Sequence, residues 1–270
     1  MSKKGIFGEA AILVVDDNNI NLFVMNKMLE EYGLTPDCVP GGKQCIKKVE
    51  KKKYDLIFMD HFMPQLDCIE TFRVLKEHSD FHTPVIILTG NTGTELDTMY
   101  QKEGFAEFIP KPVDSDTLER ILMNYLPHVS KTELEDEEDT VEPEMDKEQK
   151  NADLLYHLGF TIIKDLIADH MSIAEYEELL GIFREESEEK MPDAEKYQSQ
   201  QNMKEYAVIV HGLKNDAGMI GDDALSTLAK EHEIESKAGN LEFMISEWPH
   251  LKEEWNETLE RIEKYLTQKY

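Results

Sequence analysis

Two carboxylates, Asp16 and Asp17, directly follow the apolar run AILVV at 11–15, and a third, Asp60, directly follows DLIFM at 55–59. Apolar runs of that length read as buried strands, so the three acids fall at strand carboxyl ends. Thr89 holds the same place after PVIIL at 84–88, and Lys111 follows the weaker run EFI at 107–109. If the first and third strands are neighbours, about 4.8 Å apart, the carboxylates converge. Three like charges that close cannot all stay ionised without a cation, and an all-oxygen set suits Mg2+. A hydroxyl, an ammonium group and a hard divalent metal are what a transferring phosphoryl group requires. Taken singly the same residues are ordinary: an Asp pair after a strand commonly caps a helix, and Lys-Pro commonly makes a turn.

A second candidate lies far along the chain, in YAVIVHGLKNDAGMIG. On a helix, His211 shares a face with Lys214, Asn215 and Gly218 at i+3, i+4 and i+7. The glycine leaves that face bare, and the lysine can balance phosphoryl charge, so the ring is open to another protein. A partly buried helix histidine is the plainer reading of the same spacing. Other groups do not assemble: His78 and His82 straddle a loop before Pro84, and no histidine stands in zinc spacing with a cysteine. Lys43, Lys47, Lys48, Lys51, Lys52 and Lys53 read as the solvated face of the second helix.

The elements that position these residues follow from charge and periodicity. Residues 1–127 carry net charge −6, residues 128–150 carry −7 and residues 151–270 carry −14, within a total of −27. The middle segment is too charged and too poor in large apolar groups to pack, so it reads as a flexible acidic tether between two domains. Before it, five short apolar runs alternate with amphipathic stretches, the βαβ rhythm of a doubly wound parallel sheet; Ile20, Phe23, Val24 and Met28 mark the stripe of the first helix. After it the period is helical throughout. Ser172 with Glu175 suits a capping box, a helix should run from about Met203 to Ile220 until Gly221, and Asp222 or Asp223 can cap the next. Gly239 and Asn240 then precede a last helix ending near Tyr265, which makes an antiparallel four-helix bundle.

Composition excludes several classes. With 40% apolar and 9% aromatic residues among 270, the chain can bury a core. A charge of −27 repels phosphate backbones and anionic lipid, so direct binding to nucleic acid or a membrane surface is not expected. Three cysteines without CxxC spacing and no apolar leader point to the cytoplasm, and no apolar run approaches the roughly 20 residues of a membrane span. A nucleotide-binding glycine loop, a kinase catalytic half and a helix-turn-helix are not found.

VVDDNNIN, MDHFMP, ILTGNT and FIPKP, in that order and spacing, resemble the receiver domain of two-component response regulators, over about residues 8–127 and most closely the receivers of hybrid histidine kinases. The resemblance implies a flavodoxin-like (βα)5 sheet of order 2-1-3-4-5. It also implies that Asp60 is the phosphoacceptor and that Asp16 and Asp17 hold Mg2+ with Asp60 and the main-chain carbonyl of Phe62. Thr89 and Lys111 would then grip the phosphoryl oxygens, and Phe108 would be the switching aromatic. Cys68 stands where a glycine is usual, Gly90 where alanine is commoner, and His61 is an unusual neighbour for the acceptor. HGLKNDAGMIG similarly resembles the histidine phosphotransfer (HPt) signature, with His211, Leu213, Lys214 and Gly221 in place, over about residues 152–268. There Asn215 and Asp216 replace the usual small pair.

Together the resemblances imply a phosphorelay carrier, not a kinase. Asp60 would accept a phosphoryl group from a sensor or hybrid histidine kinase, and His211 would exchange one with the receiver of a downstream response regulator or, over the tether, within the chain. A rival keeps the receiver as a phosphorylation-gated switch and makes the bundle a non-transferring interaction module, on the strength of Asn215 and Asp216. A hydrolase using Asp60 as covalent nucleophile lacks a second acid/base carboxylate.

Overall fold

In the computed structural model, residues 6–63, 65–90, 94–111, 113–127, 145–161 and 171–269 are described. The chain falls into two compact units, Met1–Asp139 and Thr140–Tyr270. Of the segment read as a tether, residues 128–144 lie outside the described residues.

The first unit alternates strand and helix: β1 Ile12–Val15, α1 Asn19–Glu30, β2 Asp37–Val39, α2 Gly42–Val49, β3 Leu56–Asp60, α3 Cys68–Lys76, β4 Val85–Thr89, α4 Thr94–Glu103, β5 Glu107–Pro110 and α5 Ser115–Tyr125. The strands form one parallel sheet in the order β2-β1-β3-β4-β5, the flavodoxin-like arrangement expected. Side chains alternate across such a sheet. Leu13, Val15, Ile57, Met59, Val85 and Ile87 join Cys45, Cys68, Phe72, Leu75 and Tyr100 in one core. The intervening Ile12, Val14, Leu56, Phe58, Ile86 and Leu88 are buried on the opposite face. Burial on both faces is why these strands are continuously apolar.

Two local readings are corrected. Asp60 and Thr89 are the last residues of β3 and β4 instead of the first beyond them, because each still takes part in the ladder, Asp60 opposite Leu88 and Thr89 opposite Pro110. On α1 the buried stripe is Ile20, Leu22, Val24, Met25, Met28 and Leu29. Phe23 is only half-buried because it lies at the stripe's edge, its ring under the Lys27 ammonium at 5.5 Å.

The second unit is helical: α6 Met145–His157, α7 Ile173–Ser199, α8 Met203–Met219, α9 Asp223–Lys237 and α10 Leu241–Gln268. α6 begins inside the segment read as a tether. Ser172 and Glu175 form the expected capping box of α7, while Asn202, Asp222 and Asn240 cap the next three helices; Asp222, not Asp223, is the cap of α9. Short turns reverse the chain between α7, α8, α9 and α10, each helix packs on the next, and α10 returns onto α7. Tyr176, Phe183, Tyr206, Leu213, Trp255 and Tyr265 fill the interior. Gly221 has a left-handed φ of +72°, and a Cβ there would lie 1.9 Å from the Thr161 carbonyl oxygen, which leaves no room for a side chain. Among the described residues no helix is long and apolar enough to cross a membrane.

Candidate functional site: a carboxylate cluster and a helix histidine

Register places the first cluster. Val15 pairs with Met59, so Asp16 and Asp60 leave adjacent strands side by side. Carboxylate oxygens of Asp16, Asp17 and Asp60 all lie within 4.8 Å of one another. Asp16 is buried and oriented from α1: its Oδ1 accepts from Asn18 N and from Asn21 Nδ2, both at 3.0 Å. Asp60 is nearly buried, and its Oδ2 accepts from the Phe62 amide at 3.1 Å. Lys111 arrives from the end of β5, its amide donating to Thr89 O at 2.8 Å. Its Nζ bridges Asp16 Oδ2 and Asp60 Oδ1 at 2.5 Å each. Thr89 is buried at the same strand ends, and Phe108 on β5 packs its ring 5.9 Å from that of Tyr100.

Electrostatics define what this cluster favours. Asp17 is exposed at the mouth of the cluster, yet desolvation by its surroundings first, then the charges of Asp16 and Asp60, push its carboxyl up to about 7. Burial also raises Asp60, to about 6, against the opposing pull of Lys111. Burial disfavours the Lys111 ammonium, yet Asp16 and Asp60 outweigh it and hold its pKa above the ordinary value. One lysine does not neutralise three clustered carboxylates. A small, hard divalent cation fits this all-oxygen set, so the residues present suit Mg2+.

In the second unit, α8 presents His211 half-exposed, with Lys214 one turn on. Sequence reasoning missed its principal partner. Glu233 of α9, nearly buried, accepts from His211 Nδ1 at 2.6 Å, from Lys214 Nζ at 2.7 Å and from Lys237 Nζ at 2.5 Å. Burial works to raise its pKa, but those three donors hold it well below the usual carboxylate range. An ionised Glu233 only accepts, so Nδ1 carries the proton and Nε2 is left as the nucleophilic nitrogen, with Asn215 Nδ2 3.4 Å away. Gly218 does not simply leave bare surface, because α9 covers it: Ser226 Oγ lies 3.6 Å from where a Cβ would stand. Asp216 is buried and paired with Lys190 of α7 at 2.6 Å. Its charge is therefore met inside the bundle.

No pairing within α8 announces Glu233, since the contact crosses between helices; the one available signal is an acid among His232 and Ile234 on the helix after the histidine. Asn21 was visible as the last residue of VVDDNNIN. The six-lysine run is largely exposed along and after α2, where Lys48 and Lys52 pair with Asp37 at 2.6 and 2.8 Å.

Residues 12–123 match the response regulator receiver domain family, and residues 178–268 match the Hpt domain family. The transcription factor SKN7 of Saccharomyces cerevisiae is 34% identical over 115 residues, covering 43% of this chain and 18% of that protein. The autoinducer 2 sensor kinase/phosphatase LuxQ of Vibrio cholerae is 31% identical over 119 residues, covering 43% of this chain and 14% of its own length. The chain thus spans under a fifth of either relative. Among solved structures, the receiver domain of a Pseudomonas aeruginosa sensor histidine kinase, described with magnesium in its active site cleft, is 29% identical. It covers 44% of this chain and 98% of that one, with a TM-score of 0.41. The chain joins a response regulator receiver domain to an Hpt domain, the modules of two-component phosphorelays.

Proposed function

We propose that this chain carries phosphoryl groups between histidine and aspartate in a phosphorelay. Asp60 accepts from the phosphohistidine of a sensor or hybrid histidine kinase, and His211 exchanges with the aspartyl phosphate of a receiver, that of a downstream response regulator among them. The observation that carries the reading is Lys111 Nζ set 2.5 Å from both Asp16 and Asp60, beside Asp17, at the carboxyl ends of the central strands. Open α/β sheets bind their ligands in that crevice.

At the receiver, an Asp60 oxygen attacks phosphorus in line, the P–N bond of the donor breaks, and its imidazole leaves as the neutral ring, taking the bonding pair and keeping the proton already on its other nitrogen. Lys111 is held where the new charge develops, and Thr89 supplies a hydroxyl at the same rim. Mg2+, held by Asp16, Asp17, Asp60 and the Phe62 carbonyl, would neutralise phosphoryl oxygens that the carboxylates otherwise repel. At the bundle, His211 Nε2 attacks phosphorus of an aspartyl phosphate and the P–O bond breaks, releasing the carboxylate. The Nδ1 proton stays between ring and Glu233, which offsets the positive charge the ring acquires. Lys214 Nζ lies 3.4 Å from Nδ1 and is bonded to Glu233, so it meets the phosphoryl group by turning from Glu233 toward Nε2. The interaction-module rival loses part of its support because Asp216 is paired with Lys190 inside the bundle.

The test is transfer in trans. A full-length Asp60→Asn chain is incubated with a phosphorylated receiver domain. Alkali-stable, acid-labile label that His211→Gln abolishes is the expected result; absence of such label from both chains would leave the bundle a non-transferring module.

A further inference from the structure

His61 stands between the acceptor Asp60 and Phe62, and its ring is held from two helices. Nδ1 lies 2.7 Å from Tyr100 Oη on α4 and 3.5 Å from Cys68 Sγ at the start of α3. The His61 and Tyr100 rings meet edge to face at 5.5 Å. Tyr100 is 1% exposed, and its ring also contacts Phe105 at 6.0 Å and Phe108 at 5.9 Å. The backbone of His61 is tied separately, its amide donating to Leu88 O at 2.9 Å. One buried hydroxyl on α4 thus reaches the residue whose two flanking peptide groups lead to the acceptor carboxylate and to the Phe62 carbonyl.

We infer that Tyr100 is a positioning residue for the phosphoacceptor loop, acting through its hydrogen bond to His61. With the His61 ring anchored at Nδ1, the segment that runs from Asp60, the last residue of β3, to Phe62 is held at the strand end before any ligand arrives, so binding there does not have to order it. The same bond runs both ways: a ligand that tightens the loop tightens α4, and a change at α4 is felt at Asp60. Thr89 and Phe108, assigned by the receiver resemblance, do not contain this connection. It rests on two residues, His61 and Tyr100, that the phosphoryl chemistry itself does not use. The inference depends on the reading of Asp60 as the centre of a metal and phosphoryl site.

The experiment is calorimetric titration of the full chain with Mg2+, without a phosphoryl donor, on the parent, Tyr100→Phe, His61→Leu and the double variant. Thermal melting and hydrogen exchange of residues 94–103 are recorded beside it. Tyr100→Phe keeps the ring and removes only the hydroxyl, so it should fold. Loss of one buried hydrogen bond predicts about fivefold weaker Mg2+ binding in each single variant. The double variant should be no weaker than the weaker single, since either change already breaks the bond. Mg2+ should slow exchange in residues 94–103 of the parent and not of Tyr100→Phe. A lower melting temperature with unchanged Mg2+ affinity and unchanged exchange response would mean that Tyr100 is only structural and would overturn the inference, as would additive losses in the double variant. A parent that binds no Mg2+ overturns the site reading, and the inference with it.

Discussion

In the proposed transfer Glu233 selects the reacting nitrogen of His211, because it accepts a hydrogen bond from Nδ1 while also gathering Lys214 and Lys237. Glu233→Ala therefore leaves two ammonium groups and the ring without their shared acceptor. A hydrogen bond to a charged group contributes about 1.5–3 kcal/mol, so transfer through His211 should slow by roughly 10- to 100-fold in Glu233→Ala. Glu233→Gln, which still offers Nδ1 an acceptor, should slow it less. Single-turnover transfer from a phosphorylated receiver measures both, and equal rates in all three chains would remove Glu233 from the mechanism. Residues of this kind divide the readable from the unreadable. Asp16, Asp17, Asp60, Thr89 and Lys111 each stand at the end of an apolar run, so strand geometry alone brings them to one rim. Glu233 meets His211 only because two helices pack in one rotational setting, and nothing local to either helix states that setting.

The three central strands β1, β3 and β4 were legible for the same physical reason that they are stable, continuous burial on two faces, whereas the outer β2 and β5 are only partly buried and read more weakly. Their ends were less so, since an acid such as Asp60 can continue a ladder as well as terminate it. Caps were the most readable feature of the second unit, because Ser172 with Glu175 and Gly221 after α8 act locally. Helix α6 was not readable: its first residues, MDKEQK, share the high charge of the segment before them. Pro192 and Pro249 lie inside α7 and α10, where each removes a backbone donor. The residues four positions back, Glu188 and Ile245, are exposed, so water can replace the lost bond at each carbonyl. Gly221 is the position where this unit is most sensitive to change. Gly221→Ala combines a left-handed φ with a clash against Thr161, and should cost more than about 2 kcal/mol. Urea unfolding followed by tryptophan fluorescence reads this unit directly, because both tryptophans, Trp248 and Trp255, lie on α10. An unchanged midpoint would contradict the packing at that turn.

At the scale of the whole chain, pH should act unevenly. His232 is buried on α9, its Nδ1 2.7 Å from Tyr206 Oη and its ring 5.1 Å from Phe243, and burial lowers its pKa to about 4 against the charge of Glu247. A histidine kept neutral in the folded state contributes stability above its unfolded pKa of 6.5, which is lost as pH falls from 6.5 toward 4. The loss should approach about 3 kcal/mol, with Glu233, whose pKa is depressed, adding its own loss only below about 4.5. Urea midpoints of the helical unit, read by its tryptophans between pH 7 and 4.5, check this; Asp17 and Asp60 of the first unit, raised to about 7 and about 6, act in the opposite direction there. A His232→Gln chain should show the flatter profile, and a parent midpoint independent of pH would contradict it.

The central claim is that one aspartate and one histidine of this chain carry phosphoryl groups. Intact-mass measurement after incubation with a small acyl-phosphate donor and Mg2+, on the parent, Asp60→Asn and His211→Gln chains, tests it most directly. The parent should gain one alkali-labile phosphoryl group that Asp60→Asn abolishes, and any alkali-stable label should disappear with His211→Gln. Label of the same amount and alkali lability on Asp60→Asn as on the parent, or none on any chain, would contradict it.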